Sequence, residues 1–236
     1  MQWSRFLPAG IVAATALAWV APSSRADEYI DQASWLAHTS GMTTITFEGY
    51  APDDSYKSYT AHGLTLTGVN FTSLYTASVP QHQGLWVIDD GFSEGRFDLG
   101  FGQVLAGAFS VHDQQTGTII ATLPAGVTSV GTDIGHSCDL AEPIVVTLFT
   151  AAGSTTFDYT TMPEGGFLGF TSPSPITSIR FTNPQSTGND GYIMLDNFSF
   201  GTNPGPVSVP EPSAVGGMMV LAGGLLARRR PRTVAI

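Results

Sequence analysis

Residues 193–200, with the sequence IMLDNFSF, carry the strongest indication of the fold. Ile193 and Leu195 alternate with their neighbours, and so do Phe198 and Phe200, which is the period of a β-strand with one buried face. The two alternations are out of phase, and the change falls at the Asp-Asn pair between them. One extra residue in a strand, a β-bulge, produces such a change. This stretch therefore predicts a bulged strand.

Similar short segments follow one another through most of the chain. Gly, Pro, Asn or Asp separates most of them, and a spacing of about 8–15 residues is typical of sandwiches and jelly rolls. A second phase change, at Gly68, predicts another bulge within one strand. The predicted strands are Thr43–Glu48, Gly63–Phe71, Leu85–Ile88, Arg96–Phe101, Ala106–His112, Thr118–Leu123, Ser129–Ile134, Ile144–Thr150, Ser154–Thr160, Phe167–Phe170, Thr177–Thr182 and Tyr192–Phe200.

The fold class predicted from this pattern is all-β, a jelly-roll-like antiparallel β-sandwich. Thr, Gly, Val, Ile and Phe are common while Lys, Glu and Gln are scarce, which suits pleated sheets and tight turns. Only Asp27–Thr39 has a helical pattern inside this domain. We expect a signal helix before the sandwich and a transmembrane helix after it.

The charge of the domain argues against nucleic acid as a partner. Between Asp27 and Pro206 there are three basic residues, Lys57, Arg96 and Arg180, and eighteen acidic ones. A field of that sign repels nucleic acid and attracts cations, Ca²⁺ among them. The single cysteine, Cys138, excludes a disulfide within the chain, and we expect it to be a small packed side chain.

The first 26 residues have the pattern of a cleavable signal peptide. Arg5 precedes an apolar run from Phe6 to Val20, which is shorter than the roughly 20 residues that span a bilayer. Ser24 and Ala26 place small side chains where signal peptidase requires them, so we expect cleavage between Ala26 and Asp27 after export by the Sec machinery. The β-sandwich domain would then cover 27–200.

The C-terminal region has three parts in a fixed order. After a Gly/Pro linker at 201–208, Pro210, Glu211 and Pro212 form a rigid extended signal. A short apolar span, Ala214–Ala227, follows, and Arg228–Arg230 end it. By the positive-inside rule the arginines stay inside and the acidic domain lies outside. An ordinary tail anchor is the alternative, although it leaves the Pro-Glu-Pro unexplained.

This order of elements over 209–232 resembles the PEP-CTERM sorting signal, which is also called the ice-binding protein C-terminal motif. The resemblance implies processing by an exosortase, a membrane transpeptidase, with Pro210, Glu211 and Pro212 as the signal and Arg228, Arg229 and Arg230 as the membrane stop. It does not imply ice binding, because the domain lacks a Thr-rich repeat of fixed period. The expected locations are the membrane first and then the cell surface or extracellular matrix.

The domain itself resembles, more loosely, the carbohydrate-binding-module and lectin-type jelly rolls found in many proteins with this tail. The segments that carry this likeness are Gly131–Gly135, Phe167–Phe170, Ile176–Phe181 and Leu195–Phe198. In such modules a Ca²⁺ ion is usually structural. The resemblance supports the fold more than the function.

Two carboxylates make the best candidate for a metal site. Glu48 ends the first predicted strand, and Asp196 lies on the predicted bulge of the last. Because the first and last strands of jelly rolls commonly lie side by side, the two side chains and the carbonyls of the bulge would form an oxygen cage suited to Ca²⁺. The alternative is a solvated Glu and an Asp that caps its own turn. No other cofactor is expected.

Catalytic patterns are weak. Gly91–Gly95 matches G-x-S-x-G, but a strand-like segment follows where a nucleophile elbow requires a helix. The clusters Asp53-Asp54 and Asp89-Asp90 do not follow the EF-hand spacing, so we interpret them as solvated turns. None of the five histidines, His38, His62, His82, His112 and His136, has a ligand spacing.

Aromatic residues favour binding over catalysis. Trp86, Tyr56, Tyr59 and Tyr75 lie in or beside predicted loops, where sugar rings could stack on them. Trp86 could equally belong to the core. We therefore expect a non-catalytic surface or matrix protein that binds polysaccharide, and the alternative is a secreted carbohydrate-active enzyme.

Overall fold

The computed structural model describes residues 25–74, 84–92, 102–108, 117–136, 143–160, 165–183 and 192–204. The predicted signal peptide up to residue 24, the sorting tail, the strand at 96–101, Tyr75 and Cys138 lie outside this part of the chain. Among the described residues there is no helix with the length and apolar character needed to cross a membrane.

Strands are nearly the only regular secondary structure in the described residues, so the fold-class prediction is confirmed for the sandwich. The single described helix, α1, is Gln32–Leu36. The strands are β1 Asp27–Tyr29, β2 Ser40–Ile45, β3 Tyr56–Ser58, β4 Leu64–Leu66, β5 Val69–Thr72, β6 Gly84–Ile88, β7 Val104–Ala108, β8 Thr118–Thr122, β9 Ser129–His136, β10 Pro143–Thr150, β11 Gly153–Thr160, β12 Gly166–Thr171, β13 Ile176–Thr182 and β14 Ile193–Thr202.

Two antiparallel sheets pack face to face. The eight-stranded sheet runs β1-β12-β9-β14-β7-β6-β3, and β2 also pairs with β14. The six-stranded sheet runs β11-β10-β13-β8-β5-β4. From β8 to β10, and again from β12 to β14, successive strands alternate between the sheets, which is the wrapping that a jelly roll has.

The core lies between the sheets and is built by alternation. Ile45 and Phe47 are buried while Thr44 and Thr46 are exposed, as the sequence predicted. The ring of Phe71 contacts two phenylalanines edge to face, with centroids 5.5 Å from Phe47 and 5.1 Å from Phe198. Apolar contacts between these rings therefore pack the first, middle and last parts of the domain against one another.

The prediction of one bulged strand over Gly63–Phe71 is wrong. The segment is a β-hairpin in which Leu66 pairs with Val69. Its two-residue turn, Thr67-Gly68, has positive φ at both positions, 45° and 86°. A hairpin turn of this kind also changes the phase of an alternation, and the sequence pattern alone does not separate it from a bulge.

The helix predicted over Asp27–Thr39 is shorter in the structure. Its first three residues form β1, and Asp31 begins α1 by accepting a hydrogen bond from the Ser34 N–H at 2.8 Å. Trp35 is buried against the eight-stranded sheet, where a Cβ on Gly131 or Gly169 would lie 2.9 or 2.7 Å from its ring. Because these two positions carry no side chain, the ring of Trp35 and its helix can pack against the sheet.

Candidate functional site

The bulge predicted in the last strand is confirmed, and it organises the candidate site. The register of β14 against β9 shifts between Asp196 and Ser199. Asn197 has a left-handed φ of 46°. The hydroxyl of Thr132 donates to the carbonyl of Asp196 at 2.8 Å, which satisfies a group that the irregular ladder would leave unpaired.

Two aspartates face each other beside this bulge. Asp196 pairs directly with Asp133 on the neighbouring strand, so both side chains leave the same face of the sheet. This is the face that points away from the six-stranded sheet, and we name it the outer face. Asp196 is only 1% exposed, and Asn197 donates its side-chain N–H to Asp133 at 2.8 Å. Sequence reasoning missed Asp133, although its alternation on β9 indicates this face.

Glu48 approaches the same place from β2. The predicted strand Thr43–Glu48 is displaced by three residues, because β2 ends at Ile45 and Glu48 lies in the turn that follows. Its Oε1 accepts a hydrogen bond from the backbone N–H of Gln103 at 3.1 Å. Pairing of β2 and β7 with successive parts of β14 therefore brings Glu48 towards the bulge, where its charge acts on Asp196.

Gln103 holds these turns together, and sequence reasoning did not single it out. Its side-chain oxygen accepts from the N–H groups of Tyr50 at 3.0 Å and Ala51 at 2.9 Å. Its side-chain nitrogen donates to Ala51 at 2.9 Å and to Asp89 at 3.1 Å. A buried amide with all four bonds made fixes the position of the Glu48 turn.

The electrostatics of the site follow from burial and from like charges. The pKa of Asp196 is raised to about 7, chiefly by burial and also by the charges of Asp133 and Glu48, while a hydrogen bond from the backbone N–H of Asn197 acts to lower it. Burial also raises the pKa of Asp133, while the hydrogen bond from Asn197 acts in the other direction. Oδ1 of Asp196 is buried and has no hydrogen-bond partner. Binding of a proton or a cation at Asp196 would therefore stabilise the folded chain.

Within the described ranges, no group of three or more His, Cys, Asp or Glu side chains is arranged to hold a metal ion. The oxygens of Glu48, Asp133 and Asp196 nevertheless belong to the hard donor class that Ca²⁺ prefers. The predicted calcium site at Glu48 and Asp196 stays a prediction.

An aromatic cluster lies on the outer face beside the acidic residues. The ring centroid of Tyr56 is 5.9 Å from that of Trp86 and 5.1 Å from that of Phe92. Trp86 is also 5.9 Å from Tyr192. Trp86 is only 7% exposed and belongs to the packing, whereas Tyr56 is 48% exposed. Tyr59 packs against the main core and donates its hydroxyl to the carbonyl of Tyr50 at 2.8 Å.

The acidic turns meet in the structure. Oδ1 of Asp89 accepts from the backbone N–H groups of Asp54 at 3.0 Å and Gly91 at 3.2 Å. Burial acts to raise the pKa of Asp89, but the hydrogen bonds from Gln103, Asp54 and Gly91 outweigh it and lower the pKa. The two clusters form one capped turn. Of the G-x-S-x-G match, Ser93 to Gly95 lie outside the described residues.

His136 is buried on β9, although the sequence pattern favours a loop or surface position for each histidine. It is 2% exposed, and its Nε2 lies 3.1 Å from the side-chain nitrogen of Asn183. Burial lowers the pKa of His136 to about 4, so the ring is neutral at physiological pH.

Comparison with known proteins finds likeness only among solved structures. No family model matches the chain, and no curated protein matches it. The K2 cleaved adhesin domain of Lys-gingipain is 14% identical, with a TM-score of 0.43 over 68% of this chain and 97% of that chain. A family 29 carbohydrate-binding module is 13% identical, with a TM-score of 0.31 over 71% of this chain and 97% of that chain. An exo-beta-agarase is 12% identical, with a TM-score of 0.35 over 65% of this chain and 26% of that chain.

Proposed function

We propose that this chain is an exported, non-catalytic cell-surface or matrix protein whose β-sandwich binds polysaccharide. The observation that carries the proposal is the exposed ring of Tyr56, supported by Trp86 and Phe92 on the outer face of the eight-stranded sheet. Contacts with its neighbours already restrict the Tyr56 ring, so little conformational entropy is lost when a ligand binds and the stacking energy contributes more fully to affinity. Sugar rings present apolar C–H faces to such a side chain.

The test is a glycan array probed with the full-length chain in mild detergent, with a hydrolysis screen on the same sugars. Tyr56→Ala should weaken binding about tenfold because one stacking contact is lost. Tyr29→Ala is the matched control, since Tyr29 lies on β1 at the opposite edge of the same sheet. Absence of binding to every glycan, or equal effects of the two substitutions, would contradict the proposal.

The second candidate function is a secreted carbohydrate-active enzyme. The pair Asp133 and Asp196 favours it, because one carboxyl with a raised pKa beside another acid is the arrangement that glycoside hydrolysis uses. The 1% exposure of Asp196 weighs against it, since a general acid must reach its substrate. Turnover in the hydrolysis screen that disappears with Asp133→Asn would replace the binding proposal with this one.

A structural Ca²⁺ at Glu48 and Asp196 is proposed as part of the same domain, with Asp133 beside them. Support comes from the buried, unpartnered Oδ1 of Asp196 and from the charges of Asp133 and Glu48, which disfavour the charged form of Asp196. Calorimetric titration of a chelator-treated sample should show heat and a higher melting temperature. Asp196→Asn should remove both, while the exposed Asp158→Asn should keep them. No heat in the wild-type chain would rule out the ion.

The route to the surface is proposed from the ends of the chain. Sec export and signal peptidase would release a domain that begins at Asp27, which is also the first residue of β1. Ala26, which cleavage would remove, is buried in the core of the uncleaved chain. An exosortase would then process the tail at Pro210, Glu211 and Pro212 while Arg228–Arg230 hold it in the membrane.

This route is tested in cells that contain an exosortase. Pro210→Ala combined with Pro212→Ala should keep the chain at its unprocessed size in the membrane fraction, whereas the wild type is shortened. Pro204→Ala combined with Pro206→Ala, in the preceding linker, is the control and should be processed normally. If the Pro210 and Pro212 variant and the wild type have the same size and location, the sorting role is wrong.

A further inference from the structure

The edges of the two sheets differ in how well they are protected against pairing. An edge strand exposes unpaired backbone groups, and proteins usually shorten it, charge it or bulge it. Within the described residues, the edges β1, β3 and β4 have three residues each. β1 carries Asp27 and Glu28, and β3 carries Lys57. β2 is irregular, because its register against β14 shifts between Phe200 and Thr202.

β11 has none of these devices along most of its length. It has eight residues, Gly153–Thr160, and pairs residue for residue with β10 without a register shift. It contains no Pro and no Lys, and Asp158 is its single charge. It is the last strand of the six-stranded sheet in the described part of the chain. Among the described strands, β11 is therefore the long, regular edge at which another strand can pair.

We propose that β11 pairs with β11 of a second copy of this chain, antiparallel and about a two-fold axis, so that two six-stranded sheets join into one. Such an interface is isologous and uses only residues that every copy has. The exposed face of β11 carries one carboxylate, Asp158, among hydroxyl side chains, and hydroxyls pair across strands within this sheet, as Thr156 of β11 does with Thr147 of β10 at 3.4 Å. An interface of one strand pair is small, so the dimer is weak and concentration-dependent.

The register of the pair follows from charge and aromatic packing. Centring it on Phe157 places the two phenylalanines opposite each other on the core side, which is a favourable cross-strand pair. The same register puts Asp158 of one copy opposite Thr156 of the other on the exposed side. Centring it on Asp158 would instead oppose two carboxylates, which is unfavourable.

A charge series at Thr156 tests both the dimer and its register. The full-length chain in mild detergent is followed by sedimentation equilibrium over a wide concentration range. Thr156→Lys should tighten the dimer about fivefold, because two Lys–Asp158 pairs form across it, and Thr156→Asp should weaken it by a similar factor. Thr65→Lys and Thr65→Asp, on the exposed face of the short edge β4, are the controls and should change nothing.

A second measurement needs no substitution. Amide hydrogen exchange in β11 should slow as the concentration rises, while exchange in β4 stays constant. A chain that remains monomeric at every concentration overturns the proposal. So does a pair of Thr156 variants that shift association in the same direction, or a dimer on which Thr156 and Thr65 act alike, since the apolar tail could then be responsible.

Discussion

At the scale of single residues, the backbone of Gly102 lets Glu48 reach the start of β7. Gly102 has a φ of 90°, and a Cβ there would collide with Oε1 of Glu48. Gly126 has nearly the same φ, 86°, with nothing within 4 Å of its Cβ position. Substitutions at the two glycines therefore distinguish the cost of backbone strain from the cost of losing the contact with Glu48.

Gly126→Ala should destabilise the chain by about 1–2 kcal/mol, the cost of a left-handed alanine. Gly102→Ala should cost about 1 kcal/mol more, because Glu48 must also leave its hydrogen bond to Gln103. Urea unfolding of both variants measures the difference. Equal losses would mean that the Glu48 contact contributes nothing to stability.

Asp196 is the residue whose ionisation should matter most to folding. Its pKa is raised to about 7, so the folded chain keeps a proton that the unfolded chain has released above about pH 4. Asp196→Asn should therefore gain stability relative to the wild type as the pH rises from 4 to 7, by up to about 3–4 kcal/mol without Ca²⁺. Asp158→Asn, at an exposed carboxyl, is the control for unfolding titrations. A gain in stability that does not change with pH would contradict the raised pKa of Asp196.

At the scale of elements, the hairpin of β4 and β5 is built on an unfavourable residue. Thr67 has a φ of 45°, which a β-branched side chain rarely adopts, and Gly68 follows at 86°. Asn-Gly is the preferred sequence for such a turn. The strands are nevertheless held in place, since Asn70 to Thr72 pair with β8.

Thr67→Asn should accordingly stabilise the chain by about 0.5–1 kcal/mol, because Asn tolerates positive φ. Thr65→Asn, two residues earlier in an extended strand, should give no gain, since Asn is unfavourable in strands. Thermal unfolding of the two variants distinguishes them. A loss of stability with Thr67→Asn would show that the Thr67 side chain makes stabilising contacts that outweigh its backbone strain.

At the scale of the whole molecule, two buried groups on the same sheet oppose each other in their response to pH. Burial lowers the pKa of His136 to about 4, so its stabilising contribution is complete above about pH 6.5 and is lost as the pH falls. The contribution of Asp196 has the opposite sign, since it is present at low pH and is lost as the pH rises towards 7. Between these limits their effects on the free energy of unfolding largely cancel.

The wild type should therefore show a nearly flat dependence of stability on pH between about 4.5 and 6.5. Asp196→Asn should make stability rise with pH in this window, and His136→Gln, which can still bond Asn183, should make it fall. The double variant should restore the flat profile. Urea unfolding at closely spaced pH values measures all four chains, and parallel profiles would contradict the assignment.

Alternation along the chain was enough to predict the sandwich, most strand positions and the bulge at Asp196, because a two-residue period with one buried face depends only on local order. It also led to the prediction that Glu48 and Asp196 lie together, because the first and last strands of a jelly roll were expected to be neighbours. It could not distinguish the Thr67-Gly68 hairpin from a bulge, because both change the phase. Only the tertiary structure brought Asp133 and Gln103 to the site and made β11 an edge, since strand order and burial depend on contacts between residues far apart in sequence.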